Sequence, residues 1–211
     1  MALTISPEAR WVFIGDSITD CGRRECTEQI GDGYVRLIRD WLRAAHPAEA
    51  PQVINKGISG NKITDLQARW DEDVLALQPD MVSIKIGIND VWHGLGSEPN
   101  GTPLDQFLEV GADILQRLKG AIPAAKIVLC EPSVIWPPAP EVGNERLQPY
   151  IDAIRALGVQ FGVEQVVPLH AAFVQSREAR PDIDWAPDGV HPSSSGHMLI
   201  ARTWLAQLGL I

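Results

Sequence analysis

The run Trp11-Val12-Phe13-Ile14-Gly15-Asp16-Ser17-Ile18-Thr19-Asp20 passes abruptly from an apolar segment to a glycine, a serine and two carboxylates. Four large apolar residues closed by a glycine read as a buried strand. The tip of such a strand, in an open α/β sheet, is where ligand chemistry collects, because side chains there are held by a rigid element and face a crevice. Ser17 is then either a nucleophile or the cap of the following helix. Only its partners elsewhere in the chain can separate the two readings.

Similar short apolar segments recur at Val53 to Asn55, Met81 to Ile86, Lys126 to Cys130 and Gln165 to Leu169. Helical periodicity fills the intervals. Tyr34, Leu37, Ile38, Trp41, Leu42 and Ala45 share one face of a helix, and Leu66, Trp70, Val74 and Leu77 predict a second over residues 64–77, capped by Thr64 or Asp65. A third carries Leu104, Phe107, Leu108, Gly111, Leu115 and Leu118, and a fourth, with Leu147, Ile151, Ile154 and Leu157, is expected to stop at Gly158. Residues 171–179 and 194–208 add two more. Strands alternating with helices at this spacing require parallel pairing through right-handed crossovers, which cover both faces of the sheet. The expected architecture is a three-layer α/β/α sandwich forming one domain over residues 1–211, with Trp136-Pro137-Pro138-Ala139-Pro140 as a rigid loop after the fourth strand.

Composition narrows the function. A net charge of −9 and a pI near 5.0 oppose binding to nucleic acid or to an anionic membrane surface, since both are polyanions. No apolar run reaches the ~18 residues of a transmembrane span. The first residues lack the basic and apolar regions of a leader, so a cytoplasmic location is expected. Cys21, Cys26 and Cys130 lack metal-ligand spacing and read as reduced thiols. With no nucleotide or metal motif in the chain, no cofactor is expected.

Four rim loops carry unusual residues: GDSITD, NKGISGNKITD, GINDVWHG and WAPDGVHPSSSGH. In the last, Asp188 stands three residues before His191 and can fold back to accept from the imidazole Nδ1, leaving Nε2 free to take a proton from a serine. The alternative is that His191 caps the helix starting near Ser194 while Asp188 closes an Asx-turn. Acyl transfer also needs donors for a developing oxyanion, and Asn89 (side-chain amide) and Gly60 (backbone N–H) are the candidates, unless both are only turn residues. Trp92, Trp136 and Trp185 fall in predicted rim loops, where indole faces can stack on sugar rings, whereas Trp41, Trp70 and Trp204 fall on core stripes. His46, His170 and His197 read as structural or surface groups.

Taken together, GDSITD, the glycine of ISGN, the asparagine of GIND and the aspartate and histidine of DGVH resemble the four blocks of the GDSL, or SGNH, hydrolases. Isoleucine at position 18 replaces the leucine of the first name. The resemblance implies a five-stranded parallel sheet in flavodoxin-like order and a serine esterase in which Ser17 is the nucleophile, His191 the base and Asp188 its orienter. It further implies an oxyanion hole formed by the Ser17 N–H, the Gly60 N–H and Asn89, with Asp16 supporting the nucleophile loop. FIGDSITDCGR, VINKGISGN, PDMVSIKIGINDVW and HPSSSGHMLIAR are similar to bacterial intracellular acetylxylan esterases, which implies a small acylated sugar as substrate and a homo-oligomer. Two other readings stay open on the residues: a lysophospholipase or thioesterase acting on longer acyl chains, and a carbohydrate- or phosphate-binding module whose GDS turn is only an anion site.

Overall fold

The computed structural model describes residues 5–96, 99–139 and 142–211. Pro140, at the end of the proline-rich loop, and residues 1–4 of the stretch read for a leader lie outside the described residues. Five strands form one parallel sheet: β1 (Arg10–Gly15), β2 (Gln52–Gly57), β3 (Met81–Lys85), β4 (Lys126–Cys130) and β5 (Gln165–Val167), in the order β2-β1-β3-β4-β5. The order reverses direction between β1 and β3, so a crevice opens at the carboxyl ends of these strands. The first rim segment leaves the sheet at that point.

Side chains alternate across the sheet and feed two cores. On one face Trp11, Phe13, Met81 and Val128 pack with Tyr34, Ile38 and Leu42 of helix α2 and with Ile200 and Trp204 of the C-terminal helix. On the other, Ile14, Val82, Ile84 and Leu129 meet Leu66, Trp70, Phe107, Leu118 and Leu157. The helices are α1 (Ser17–Asp20), α2 (Tyr34–Ala45), α3 (Ile63–Ala68), α4 (Trp70–Asp73), α5 (Ile88–Trp92), α6 (Leu104–Ala121), α7 (Gly143–Phe161), α8 (Leu169–Ala179) and α9 (Ser194–Gln207). The three-layer expectation holds.

Three local expectations are corrected. The single helix over residues 64–77 is two short helices and a 3₁₀ turn, starting one residue earlier at Ile63. It breaks at Arg69, whose guanidinium donates to the carbonyls of Lys56 (2.7 Å) and Gly15 (3.2 Å) and to Asn61 Oδ1 (2.8 Å), while Leu66, Trp70 and Val74 stay buried. Gly158 does not end α7. It sits inside the helix where a Cβ would come within 2.8 Å of Val166, and the left-handed terminator is Gly162 at φ +60°. Finally, β5 ends at Val167 because Pro168 caps α8. Trp41 is only partly buried, whereas Trp70 and Trp204 are fully enclosed.

Candidate active site

The two carboxylates of the first rim segment have separate structural tasks. Asp16 is the N-cap of α1, with Oδ1 accepting from the Ile18 N–H at 3.0 Å, so the cap is not Ser17. Asp20 accepts from the Ser59 N–H (3.1 Å) and hydroxyl (3.0 Å), tying the turn that carries Gly60 to the helix that carries Ser17. Gly57 lets the two elements meet, since a Cβ there would lie 2.1 Å from the Asp20 nitrogen. Asn55 adds bonds to the carbonyls of Thr19 (2.6 Å) and Ile30 (2.8 Å). Ser17 is therefore the first residue of a short, fully braced helix, with its hydroxyl directed outward.

The Ser17 hydroxyl lies 2.8 Å from His191 Nε2, across 174 residues of sequence. His191 Nδ1 is 2.6 Å from Asp188 Oδ2. The other oxygen, Oδ1, accepts from the backbone N–H groups of Val190 (2.9 Å) and His191 (2.7 Å). Both sequence readings of Asp188 thus hold at once: one oxygen closes an Asx-turn and the other faces the imidazole. The capping reading of His191 does not hold, because Ser193 caps α9 by accepting from the Gly196 N–H. Burial works to raise the Asp188 carboxyl, but the His191 ring and the two backbone N–H groups outweigh it and hold the group below its ordinary value.

Gly60 adopts φ +82°, a left-handed conformation that favours glycine, in a turn with open space around its α-carbon. Asn89, buried at the start of α5, donates one amide hydrogen to the Asn61 carbonyl at 3.0 Å, which leaves the second for another acceptor. Its neighbour Asp90 caps α3 by accepting from the Ile63 N–H at 3.1 Å. Burial pushes the Asp90 carboxyl up to about 6. The Gly60 turn and the Asn89 helix are in this way held together twice.

Beneath the serine, Asp16 and Lys85 are both fully enclosed, on adjoining strand ends where Gly15 pairs with Lys85. Burial raises the Asp16 carboxyl and the Lys85 ammonium opposes that rise; burial likewise depresses Lys85. His197 accepts from the Tyr34 N–H at Nδ1 (3.2 Å), which assigns its proton to Nε2, 3.6 Å from Cys21 Sγ. Burial first, then the nearby positive charge of Lys85, pushes His197 down to about 4. Sequence reasoning missed Asp20, Arg69, Lys85 and Asp90 as parts of the site. Lys85 left a signal, a cation inside the apolar run Met81-Val82-Ser83-Ile84-Lys85-Ile86.

The tryptophans divide. Trp136 and Trp185 are half-buried walls of one cleft, with Arg177 stacked 4.6 Å over the Trp136 ring and the Trp185 N–H donating to the Arg180 carbonyl at 3.2 Å. Trp92 ends α5 and packs against the first core. Among the described residues no cluster of His, Cys, Asp and Glu could hold a metal ion, and no helix is long and apolar enough to cross a membrane.

A family model for the GDSL-like lipase/acylhydrolases matches residues 13–199. The chain belongs to this family. It is 36% identical to an acetylxylan esterase of Geobacillus stearothermophilus over 225 residues, covering 98% of this chain and 97% of the relative. The solved structure of that Geobacillus enzyme superposes with a TM-score of 0.85 at 34% identity, covering 98% of this chain and 96% of the other. Variants of it described as catalytic mutants replace a serine and an aspartate by alanine. An alpha/beta hydrolase enzyme from the metagenome of Lake Arreo, Spain, gives a TM-score of 0.87 at 30% identity over 99% of both chains. Within the family the chain is a carboxylic ester hydrolase, on the same five-stranded parallel sheet.

Proposed function

We propose that the chain removes acetyl groups from xylo-oligosaccharides or related sugars through an acyl-enzyme on Ser17. The single observation carrying this reading is the continuous contact from the Ser17 hydroxyl to His191 (2.8 Å) and on to Asp188 (2.6 Å). His191 takes the serine proton as the hydroxyl oxygen attacks the ester carbonyl, and Asp188 holds the ring so that Nε2 is the accepting nitrogen. The carbonyl oxygen gains charge and is met by the N–H groups of Ser17 and Gly60 and by the second amide hydrogen of Asn89. Protonated His191 then gives its proton to the departing sugar oxygen. Water repeats the sequence on the acyl-serine and frees acetate and the serine.

The sugar side of the proposal rests on the acetylxylan esterase relative, matched over nearly the whole of both chains, and the acyl side on the family description. Homo-oligomer formation and a cytoplasmic site of action belong to the same proposal. The test is acetate release from acetylated xylo-oligosaccharides, with Ser17→Ala as the blank and fluorophosphonate labelling of Ser17 in the parent chain. Labelling with acetate release supports the proposal. Labelling accompanied by rates that rise from acetate to octanoate esters would replace it with the long-chain reading, and absence of labelling would remove Ser17 as nucleophile.

A further inference from the structure

The loop carrying Asp188 and His191 has a second side. Trp185 and Ala186, at its beginning, form one wall of a cleft of about 210 Å³ whose opposite wall is Trp136 and whose floor includes Arg177, Pro181 and Asp184. A second depression of about 420 Å³ shares Trp136, Arg177 and Pro181 and adds Asn144 and Glu178, so the two form one groove that turns about the stacked Arg177–Trp136 pair. The groove is fixed to the catalytic loop at both walls: the Trp136 N–H donates to the Gly189 carbonyl (2.9 Å) and the Ser193 N–H to the Trp185 carbonyl (3.0 Å). Phe173 meets Trp136 edge-on at 6.2 Å and backs the wall from the core side.

The chemistry of this lining selects its ligand. Indole and proline surfaces favour an apolar face, while a guanidinium, an amide and the carboxylates of Asp182, Asp184 and Glu178 offer both donors and acceptors around it. Asp182 is taken up by Arg180, Arg177 stands between Asp184 and Glu178 so that no single sign of charge lines the groove, and a polyanion is opposed by these carboxylates and by the net charge of −9. What fits both an aromatic wall and a mixed rim is an uncharged ring with an apolar face and an edge of hydroxyls, which describes a pyranose. We propose that this groove is a glycan subsite that binds unesterified sugar units flanking the one that is deacylated. The inference deepens the substrate reading above and rests on it for the orientation of the chain, although binding of plain sugar is independent of the ester chemistry.

The Arg177 guanidinium, 4.6 Å over the Trp136 ring, offers its N–H fork to ring hydroxyls. Trp185 supplies the second wall. A stacking contact of this kind contributes about a tenfold change in affinity.

The experiment titrates unesterified xylotetraose into the full-length protein while the indole N–H resonances are followed by NMR, assigned through single Trp→Phe variants. Shifts confined to Trp136 and Trp185 are expected, with affinity lowered about tenfold in Arg177→Ala, lost in Trp185→Ala and partly restored in Trp185→Phe. A companion assay measures acetate release from acetylated xylo-oligosaccharides of increasing length, each rate normalised to hydrolysis of p-nitrophenyl acetate by the same variant. KM should fall with chain length in the parent, and that dependence should flatten in Arg177→Ala. No indole shift, or shifts elsewhere only, overturns the subsite. Acetate release without length dependence removes the subsite and leaves the substrate standing, whereas xylotetraose binding with no deacetylation of any sugar removes the substrate and leaves the subsite.

Discussion

The two halves of the reactive rim are built on opposite plans. Ser17, Gly60 and Asn89 are held by buried polar groups: Asp16, Asp20, Asn55 and Asp90 are each at most 4% exposed, Asp16 capping α1 and the other three joining the segments that follow β1, β2 and β3. The Asp188 and His191 side chains, by contrast, are 57% and 54% exposed, and their geometry comes from three bonds made within four residues. On the proposed mechanism, the donors that meet the ester oxygen are held by these buried braces, Gly60 itself being exposed, and reorganise little. His191, the proposed proton carrier, sits on a locally stiffened loop open to water.

The largest effect that separates the halves is expected from Asp188→Asn. It keeps an acceptor for the Val190 and His191 N–H groups but turns a donor toward the imidazole, which favours the wrong tautomer. Turnover should fall on the order of 10⁴-fold. A melting temperature close to the parent's, measured beside the kinetics, would show that the loop survives; a large loss of stability would show instead that the exposed half depends on the carboxylate for its fold.

In the buried half, Asn89→Ala is expected to cost on the order of 10²-fold in kcat, about 3 kcal/mol, with little change in KM. A change confined to KM would place Asn89 in ground-state binding.

A pH experiment sharpens the contrast. Unfolded His197 takes a proton near 6.5, whereas burial holds the folded side chain down to about 4. Between those values the unfolded chain carries the extra proton, so this group's contribution favours the folded state fully above about pH 6.5 and is lost progressively as pH falls toward 4. The loss is on the order of 3 kcal/mol. His197→Asn retains an acceptor for the Tyr34 N–H, and urea titrations from pH 7 to 4 should show a shallower decline than in the parent. Equal slopes would mean that His197 takes up its proton without opening the core.

The smallest effect belongs to the exposed half. Arg180 and Asp182 form a two-bond pair at 2.7 and 2.6 Å, both mostly exposed, and Arg180→Ala should leave the melting temperature close to the parent's. A marked drop would mean that the Trp185 wall relies on this pair.

The same contrast explains what was legible in the sequence. Apolar periodicity reports burial, so all five strands and the long helices emerged from it, with errors at the break made by Arg69 and at the ends of α7 and β5. Ser17, Asp188 and His191 were legible because they stand in short loops of unusual composition. The braces around Ser17 were not. Nothing in the sequence marks Asp20 or Asp90 as a brace, since hydrogen bonds over 39 and 27 residues leave no periodic trace. The stacked Arg177–Trp136 pair was half hidden: Trp136 stands out by its rim loop, but nothing marks Arg177 until it lies over the ring.

Gly57 and Gly60 are three positions apart and constrain redesign differently. At 57 any side chain would wedge α1 away from β2, because its first carbon would strike the Asp20 backbone. At 60 there is room, and only the dihedral angle resists substitution. Directed libraries aimed at reshaping the acyl pocket should therefore hold residue 57 constant and admit asparagine at 60, which tolerates left-handed geometry while keeping its N–H in place.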